Sequence, residues 1–515
     1  MKWYENSKLF NYASDADEAL DKKDTILLFN ISKETEKLSI DYVECKMVCA
    51  NYLYISFTSL SNYITIKYQN IESLEWEELT EKCLVLARKS IVLMNDYLKE
   101  HNHNIKEPER AYFNGIYLSV NVNYCNLLTA IGKYSTAIYE MRKLAITQFG
   151  MAIGNLGTEI FDYACLDYTN NKELLYKYSY QLLNIALTYG DDDVHPGAKE
   201  FYHNKMNSLN TTNDFNPYDT EYSVKSLLEE DGLDDYKLMK NNDNQDYWNW
   251  VAKNNLALNT LNDLDYLAKP KYDILHLPSI LSPIDDYSSF YGIFNQIKQE
   301  YCSARYMLYE GIYSEKNHFS DENVYLVNTL DYPKYGLNIE KVKYAYRSAY
   351  ALFDRIGYFL NKYFELGLVD RKVSFRSIWN SKYSGISKFF KNNIGLKGMY
   401  WTYKDLFATP ISKDLSYIDL KLRRTYDIRN IMEHRYLKVL DSNFIEEASN
   451  EWDKLAYTIT SDELNELGMN LFRTCRELII LLCFTVNINE NNKEKSNKGH
   501  VINIPLDKFE DEWKN

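Results

Sequence analysis

Residues 344–361 read YAYRSAYALFDRIGYFLN. Alanine, leucine, isoleucine and aromatic side chains return every three or four positions, the spacing of one helix face. Arg347, Asp354 and Asn361, at i, i+7 and i+14, thread a single polar line through it. The same periodicity governs most of the chain, and only 18 glycines and 9 prolines interrupt 515 residues, so an all-α fold is predicted. Around this helix, placed at about 339–366, the C-terminal half divides further. A long helix is expected over 291–310, a basic helix near 374–392, a helix from Asp414 to about Leu440, and an apolar helix from Asp462 to about Asn487. Five helices predict an up-and-down bundle over residues 285–515.

Upstream, Asn and Asp cluster through residues 205–250, and Leu275-His276-Leu277-Pro278 with Pro283 form a rigid turn. Residues 211–284 are accordingly read as an acidic linker and connecting segment. Residues 1–210 read as consecutive amphipathic helices. In the pair Tyr124–Tyr134 and Ser135–Ala145, Gly132 and Tyr134 occupy the turn and Ala137 lies in the second helix; a further unit spans 161–187, and a short helix 198–209. This resembles degenerate tetratricopeptide repeats, whose stacked hairpins offer a groove to a peptide or protein partner. An ordinary irregular helical domain is the alternative.

With 45% hydrophobic and 26% charged residues the composition is that of a soluble globular protein. The longest strongly apolar run, Leu478–Val486, is too short to cross a bilayer, and the first residues lack a signal-peptide core. A cytoplasmic protein without a membrane partner is expected. The eight cysteines are dispersed, with no CxxC and no Cys/His cluster, and are read as reduced core thiols with no metal site. Phosphate-loop, dinucleotide-binding, nucleophile-elbow and zinc-protease motifs are absent from the sequence.

The formal net charge is -14, yet residues 371–440 hold 15 Lys+Arg against 5 Asp+Glu, a local +10 that leaves -24 on the rest of the chain. A basic patch on an acidic body focuses an anionic ligand onto one surface. Within that patch lies Arg429-Asn-Ile-Met-Glu-His434. At about 100° per residue, Arg423, Asp427, Asn430, His434 and Lys438 share one polar arc of roughly 80°, and Arg429 falls about 140° from His434, among Leu415, Ile418, Leu422, Tyr426, Tyr436 and Leu440. A guanidinium among core-facing residues needs a charged or hydrogen-bonded partner. Asp354 on the 339–366 helix is the predicted one, either as part of a catalytic site or as a pair that only fixes helix register.

An Arg-x4-His motif with a polar residue directly after the arginine, carried late in a helical bundle, resembles the HEPN superfamily of ribonucleases. The likeness covers about residues 285–490, and the stretches FNQIKQEYCSARYMLYEG, YAYRSAYALFDRIGYFLN and GMYWTYKDL look like a bacterial branch that joins tetratricopeptide-like helices to a C-terminal HEPN bundle. The resemblance implies an RNA substrate, cleavage by a homodimer without metal or other cofactor, and a role in anti-phage defence or a toxin system. By motif position it implies His434 as general acid/base, Arg429 as transition-state stabiliser, Asn430 as an orienting group and Asp354 as the acidic residue of an earlier helix. Arg423, Arg424 and Lys438 are read as backbone-phosphate contacts. Ile428 and Ile431, on neither arc, are candidates for the dimer contact. The alternative is a non-catalytic adaptor that dimerises or binds RNA through these helices and recruits a protein partner.

Overall fold

A computed structural model of the chain describes residues 2–68, 73–101, 104–210, 244–264, 272–281, 289–314, 318–380, 385–407, 420–441, 454–496, 507 and 509–514. Helices α1 (Ser7–Asp21), α2 (Thr25–Asp41), α3 (Lys46–Tyr68), α4 (Leu74–His101), α5 (Glu109–Ala130), α6 (Tyr134–Ala145), α7 (Gly150–Leu166), α8 (Lys172–Leu187) and α9 (Pro196–Asn210) follow in order, each packed on the next. Side-chain caps start several of them. Asp24 accepts from the Leu27 amide at 3.0 Å to open α2, meeting one of the donors a helix N-terminus leaves free. Gly132 forms the predicted turn between α5 and α6, with φ +87. A Cβ there would lie 2.5 Å from the Ile394 carbonyl.

Beyond α10 (Gln245–Lys253) come α11 (Ser289–Tyr313), α12 (Leu337–Tyr363), the single turn α13 (Phe375–Ile378), α14 (Ile394–Phe407), α15 (Leu420–His434) and α16 (Ser461–Ser496). The α12 helix is the one read from residues 344–361, and it packs along α11. α16 is the spine of the C-terminal half: its Leu478–Phe484 stretch is buried on every side, and the helix as a whole packs against α11, α12, α14 and α15 of the bundle and α6 and α7 from the N-terminal half. One apolar core therefore runs from Val122 to Val486. A second, within residues 3–137, is closed by Trp401 of α14. α14 reaches both cores because Gly398 and Gly395 let it press against the Gly132 turn and against α16.

Three expectations are corrected. Among the described residues, the basic helix near 374–392 is replaced by α13, opened by a Ser374–Ser377 capping box, and a 3-10 stretch, Ile386–Asn392, while 381–384 lie outside them. Phe389 packs on Phe364 and Phe390 on Trp379, so ring packing overrides helical spacing there, and the helix comes after it, as α14. Next, the helix expected to reach Leu440 stops at His434, while residues 414–419 lie outside the described residues. Tyr436–Leu440 is a strand, β1, paired in parallel with β2 (Ala456–Thr460) from Tyr436↔Ala456 to Leu440↔Thr460. YLKVL holds β-favouring Tyr and Val, and AYTIT supplies the backbone partners. Finally, of the segment 211–284 read as an acidic linker, 211–243, 265–271 and 282–284 lie outside the described residues, whereas Leu256, Ala257, Leu258, Leu261 and Leu264 are core. Asp263 is held there by Arg476, 2.6 and 3.1 Å away, and by the Tyr163 hydroxyl at 2.7 Å, which meets the cost of burying it.

All eight cysteines are free, and Cys45 and Cys165 lie at the surface rather than in the core. No helix among the described residues is long and apolar enough to cross a membrane.

Candidate active site

α15 lies on α12, α14 and α16. Leu422, Thr425, Ile428, Ile431 and Met432 make its buried face, so Ile428 and Ile431 belong to the protomer's own core and are not available as a dimer contact. Two residues of α12 fix the helix from below. The Tyr346 hydroxyl donates to the Thr425 carbonyl at 3.0 Å, and Arg347 donates to the Met432 carbonyl at 2.7 Å while pairing with Glu433 at 3.4 Å. Arg347 thus satisfies a carbonyl that the last helical turn leaves open, at the end where the helix dipole favours a cation.

Arg429 points from the flank of α15 onto α12 and is half-buried. Its guanidinium stacks on the Tyr350 ring, 5.2 Å from the centroid, and donates to the Asn430 amide oxygen at 3.1 Å. Burial pushes the Tyr350 phenol up, with Arg429 drawing it partly back. Among the described residues no carboxylate lies within ion-pairing distance of Arg429. The expected Asp354 partner is therefore corrected: Asp354 is exposed and accepts from the Phe375 amide at 2.9 Å, capping α13. The α13 turn returns over that part of α12, one helical turn past Tyr350, and the aromatic face meets Arg429 instead. A half-exposed guanidinium on an aromatic face needs no buried carboxylate.

His434 is the last residue of α15 and is exposed, on the side of the helix away from the core, with no hydrogen bond or ion pair among the described residues. Arg429 and His434 of the chain thus face different ways, as the helical spacing requires. Of the residues read as phosphate contacts, Arg423 is half-buried over the Tyr426 ring at 5.2 Å with Asp427 at 3.9 Å, and Arg424 pairs with Glu463. Lys438 departs furthest from expectation. It lies in β1, not on the helix, is 5% exposed, and pairs with Asp331. Lys438 and the Thr329 hydroxyl hold the Asp331 carboxyl below its usual range.

Sequence reading missed three contributors. Tyr350 and Arg347 stood in the quoted stretch, but their contacts with α15 depend on how two helices cross. Arg435 directly follows His434, is exposed and has no side-chain partner among the described residues. Its adjacency to the motif was the available signal. No group of three or more His, Cys, Asp or Glu side chains comes together among the described residues.

Beside β1 the chain between α11 and α12 crosses as an arm, residues 318–336. It is tied to the strand by Asp331–Lys438 and by the Lys334 amide donating to the Val439 carbonyl at 2.7 Å. Its apolar side chains face solvent, with Tyr325 94% and Val327 84% exposed. Leu330 and Tyr332 adopt φ +63 and +53, a backbone region that bulky residues rarely enter.

Compared with known families, residues 282–489 match the family model described as LA2681-like HEPN. No curated protein and no solved structure matches the chain.

Proposed function

We propose, from the HEPN domain at residues 282–489, that this protein is an endoribonuclease that acts without a metal ion. RNA contains its own nucleophile: the 2'-oxygen bonds to phosphorus as the 5'-oxygen of the next nucleotide leaves. The reaction then needs a group to move protons and a cation to offset charge on the phosphorane. His434 is the proton-transfer group, since imidazole titrates near neutrality. Arg429 supplies the charge, aimed by Asn430 and the Tyr350 ring. Arg423 and Arg435 contact flanking phosphates; Arg424 joins them on leaving Glu463, and Lys438 serves β1 instead.

The observation that carries this reading is the Arg429–Asn430 hydrogen bond, two turns from the start of a helix that ends in an exposed His434. Because the two side chains face different ways within one protomer, a complete site takes Arg429 and His434 from two chains, and the protein acts as a homodimer. Resemblance to the bacterial branch supports a role as a toxin or defence effector, with α1–α9 as the part that receives a protein signal. Carboxylate pairing of Arg424 and Lys438 favours the second reading, an adaptor that dimerises or binds RNA without cutting it.

Incubating the purified protein with total RNA in EDTA separates the two. The expected result is fragments with 2',3'-cyclic phosphate and 5'-hydroxyl ends, absent with His434→Ala. Cleavage lost in EDTA and restored by magnesium would overturn the mechanism, and no cleavage under any condition would leave the adaptor.

A further inference from the structure

Two helical turns before Arg429, Leu422 at the start of α15 helps wall a cavity of about 150 Å³ where α6, the segment after α10 and α16 meet. Leu422 is its one aliphatic lining residue; nearly all the rest is polar. Most of the charge there is already matched. Arg476 holds Asp263 through two contacts, and Glu140 pairs with Lys143 at 2.9 Å. Burial pushes the Glu477 carboxyl up, which lessens the negative charge of the wall.

Arg473 is different. Its guanidinium stacks 4.9 Å from the Tyr139 ring centroid, donates to the Asn254 carbonyl at 3.0 Å and otherwise reaches only amide oxygens at 3.4 Å. Among the described residues no carboxylate is within ion-pairing distance of it. Next to Asn254 in the chain, Asn255 is 4% exposed with φ +56, and neither its amide nitrogen nor its amide oxygen has a hydrogen-bond partner. The amide nitrogen of Asn470 lacks one as well. An unmet buried polar group is destabilising, and strained backbone persists where surrounding contacts or a ligand make use of it.

We infer that this cavity binds a compact oxyanion carrying a further polar edge, with its phosphate or carboxylate on Arg473 and that edge on the amides of Asn255 and Asn470. The guanidinium fork matches either oxyanion, and an Asn amide offers donor and acceptor side by side. A cavity of this size is comparable to one that holds a single aromatic ring, so it encloses the oxyanion and its adjacent polar edge, and the remainder of a sugar phosphate or amino acid would extend from its mouth. It would touch α6, the segment after α10, α15 and α16 together.

Calorimetric titration of the full-length protein tests this, using inorganic phosphate, ribose 5-phosphate, glutamate and, as an uncharged control, ribose. One-to-one binding of at least one anion is expected, weakened at least about tenfold by Arg473→Gln and by Asn255→Gly, with no heat from ribose. Phosphate against glutamate tells the two oxyanion sources apart. Glycine accepts the left-handed backbone at 255, so that variant keeps its fold if Arg473→Gln does not. No binding of any anion at about 10 mM, or binding unchanged in Asn255→Gly, overturns the site. The readout is binding alone, so its failure is separate from that of the ribonuclease reading.

Discussion

Asp354 and Arg429 lie on facing helices without neutralising each other, and each has a separate job. With its carboxylate on the Phe375 amide, Asp354 acts as a cap, and caps contribute about 1 kcal/mol. Asp354→Ala should therefore lower stability by about that amount in urea denaturation and leave RNA cleavage near the parent rate. Loss of cleavage to the level of His434→Ala, at parent stability, would return Asp354 to the catalytic site. Glu159 in α7 is a second residue with an isolated consequence. It is buried, neither carboxylate oxygen meets a well-formed hydrogen-bond partner among the described residues, and burial pushes its pKa up to about 8 from 4.5, with the nearby Thr129 hydroxyl drawing it partly back. Across that window the unfolded chain has released a proton that the folded chain keeps. Stability therefore falls as pH rises, by at most roughly 1.4 kcal/mol per pH unit. Glu159→Gln should match the parent near pH 5 and exceed it at pH 8 by a few kcal/mol, on the order set by that slope. An equal difference at both pH values would show that Glu159 ionises freely in the fold. At this scale the Arg429-Asn430-His434 set was legible because it is local. The Asp354 role was not, since it depends on where the chain returns after α12.

The element that most shapes the surroundings of His434 is β1, which begins two residues after it and carries the 318–336 arm on its edge. The arm leaves Tyr325, Val327 and Leu330 together in solvent, an apolar surface that the proposed homodimer could cover. In that homodimer the partner is a second copy, brought to the side of the molecule where α15 ends. The parent should sediment as a dimer at micromolar concentration, and Tyr325→Ser with Val327→Ser should shift it to monomer with an unchanged circular dichroism spectrum. A parent that is monomeric, or a double variant that dimerises as tightly, removes the arm from the interface. Amphipathic spacing placed α12 and α16 well, because each buries a continuous apolar face. It misplaced β1 because five residues of mixed aliphatic and basic character fit either period, and only β2, arriving from elsewhere in the chain, settled the choice.

Across the whole molecule, a buried carboxylate is one of the ties between the N-terminal helices and the bundle, beside Lys404 with Glu77 and Glu81 and Thr136 with Glu477. Asp405 of α14 receives Arg88 of α4 at 2.7 and 3.1 Å and Lys133 of the α5–α6 turn at 3.0 Å, all three largely buried. Burial alone would raise the Asp405 carboxyl, but the Arg88 and Lys133 charges outweigh it and hold it below the usual range. Asp405→Asn removes the carboxylate that Arg88 and Lys133 share, and a loss of up to about 3–5 kcal/mol is expected in chemical denaturation. A loss below about 1 kcal/mol would mean that water reaches the group freely. Sequence alone was enough for what depends on local spacing and composition: an almost wholly helical chain, the Gly132 turn, and a HEPN-like C-terminal half bearing Arg429 and His434. Apolar periodicity and short motifs are carried by neighbouring residues, and no distant contact is needed to read them. Tertiary structure alone decided that Arg429 rests on Tyr350, that Lys438 is buried with Asp331, and that residues 255–264 are buried. Each joins side chains far apart in the chain, where competing partners differ by only a few kcal/mol and packing chooses among them.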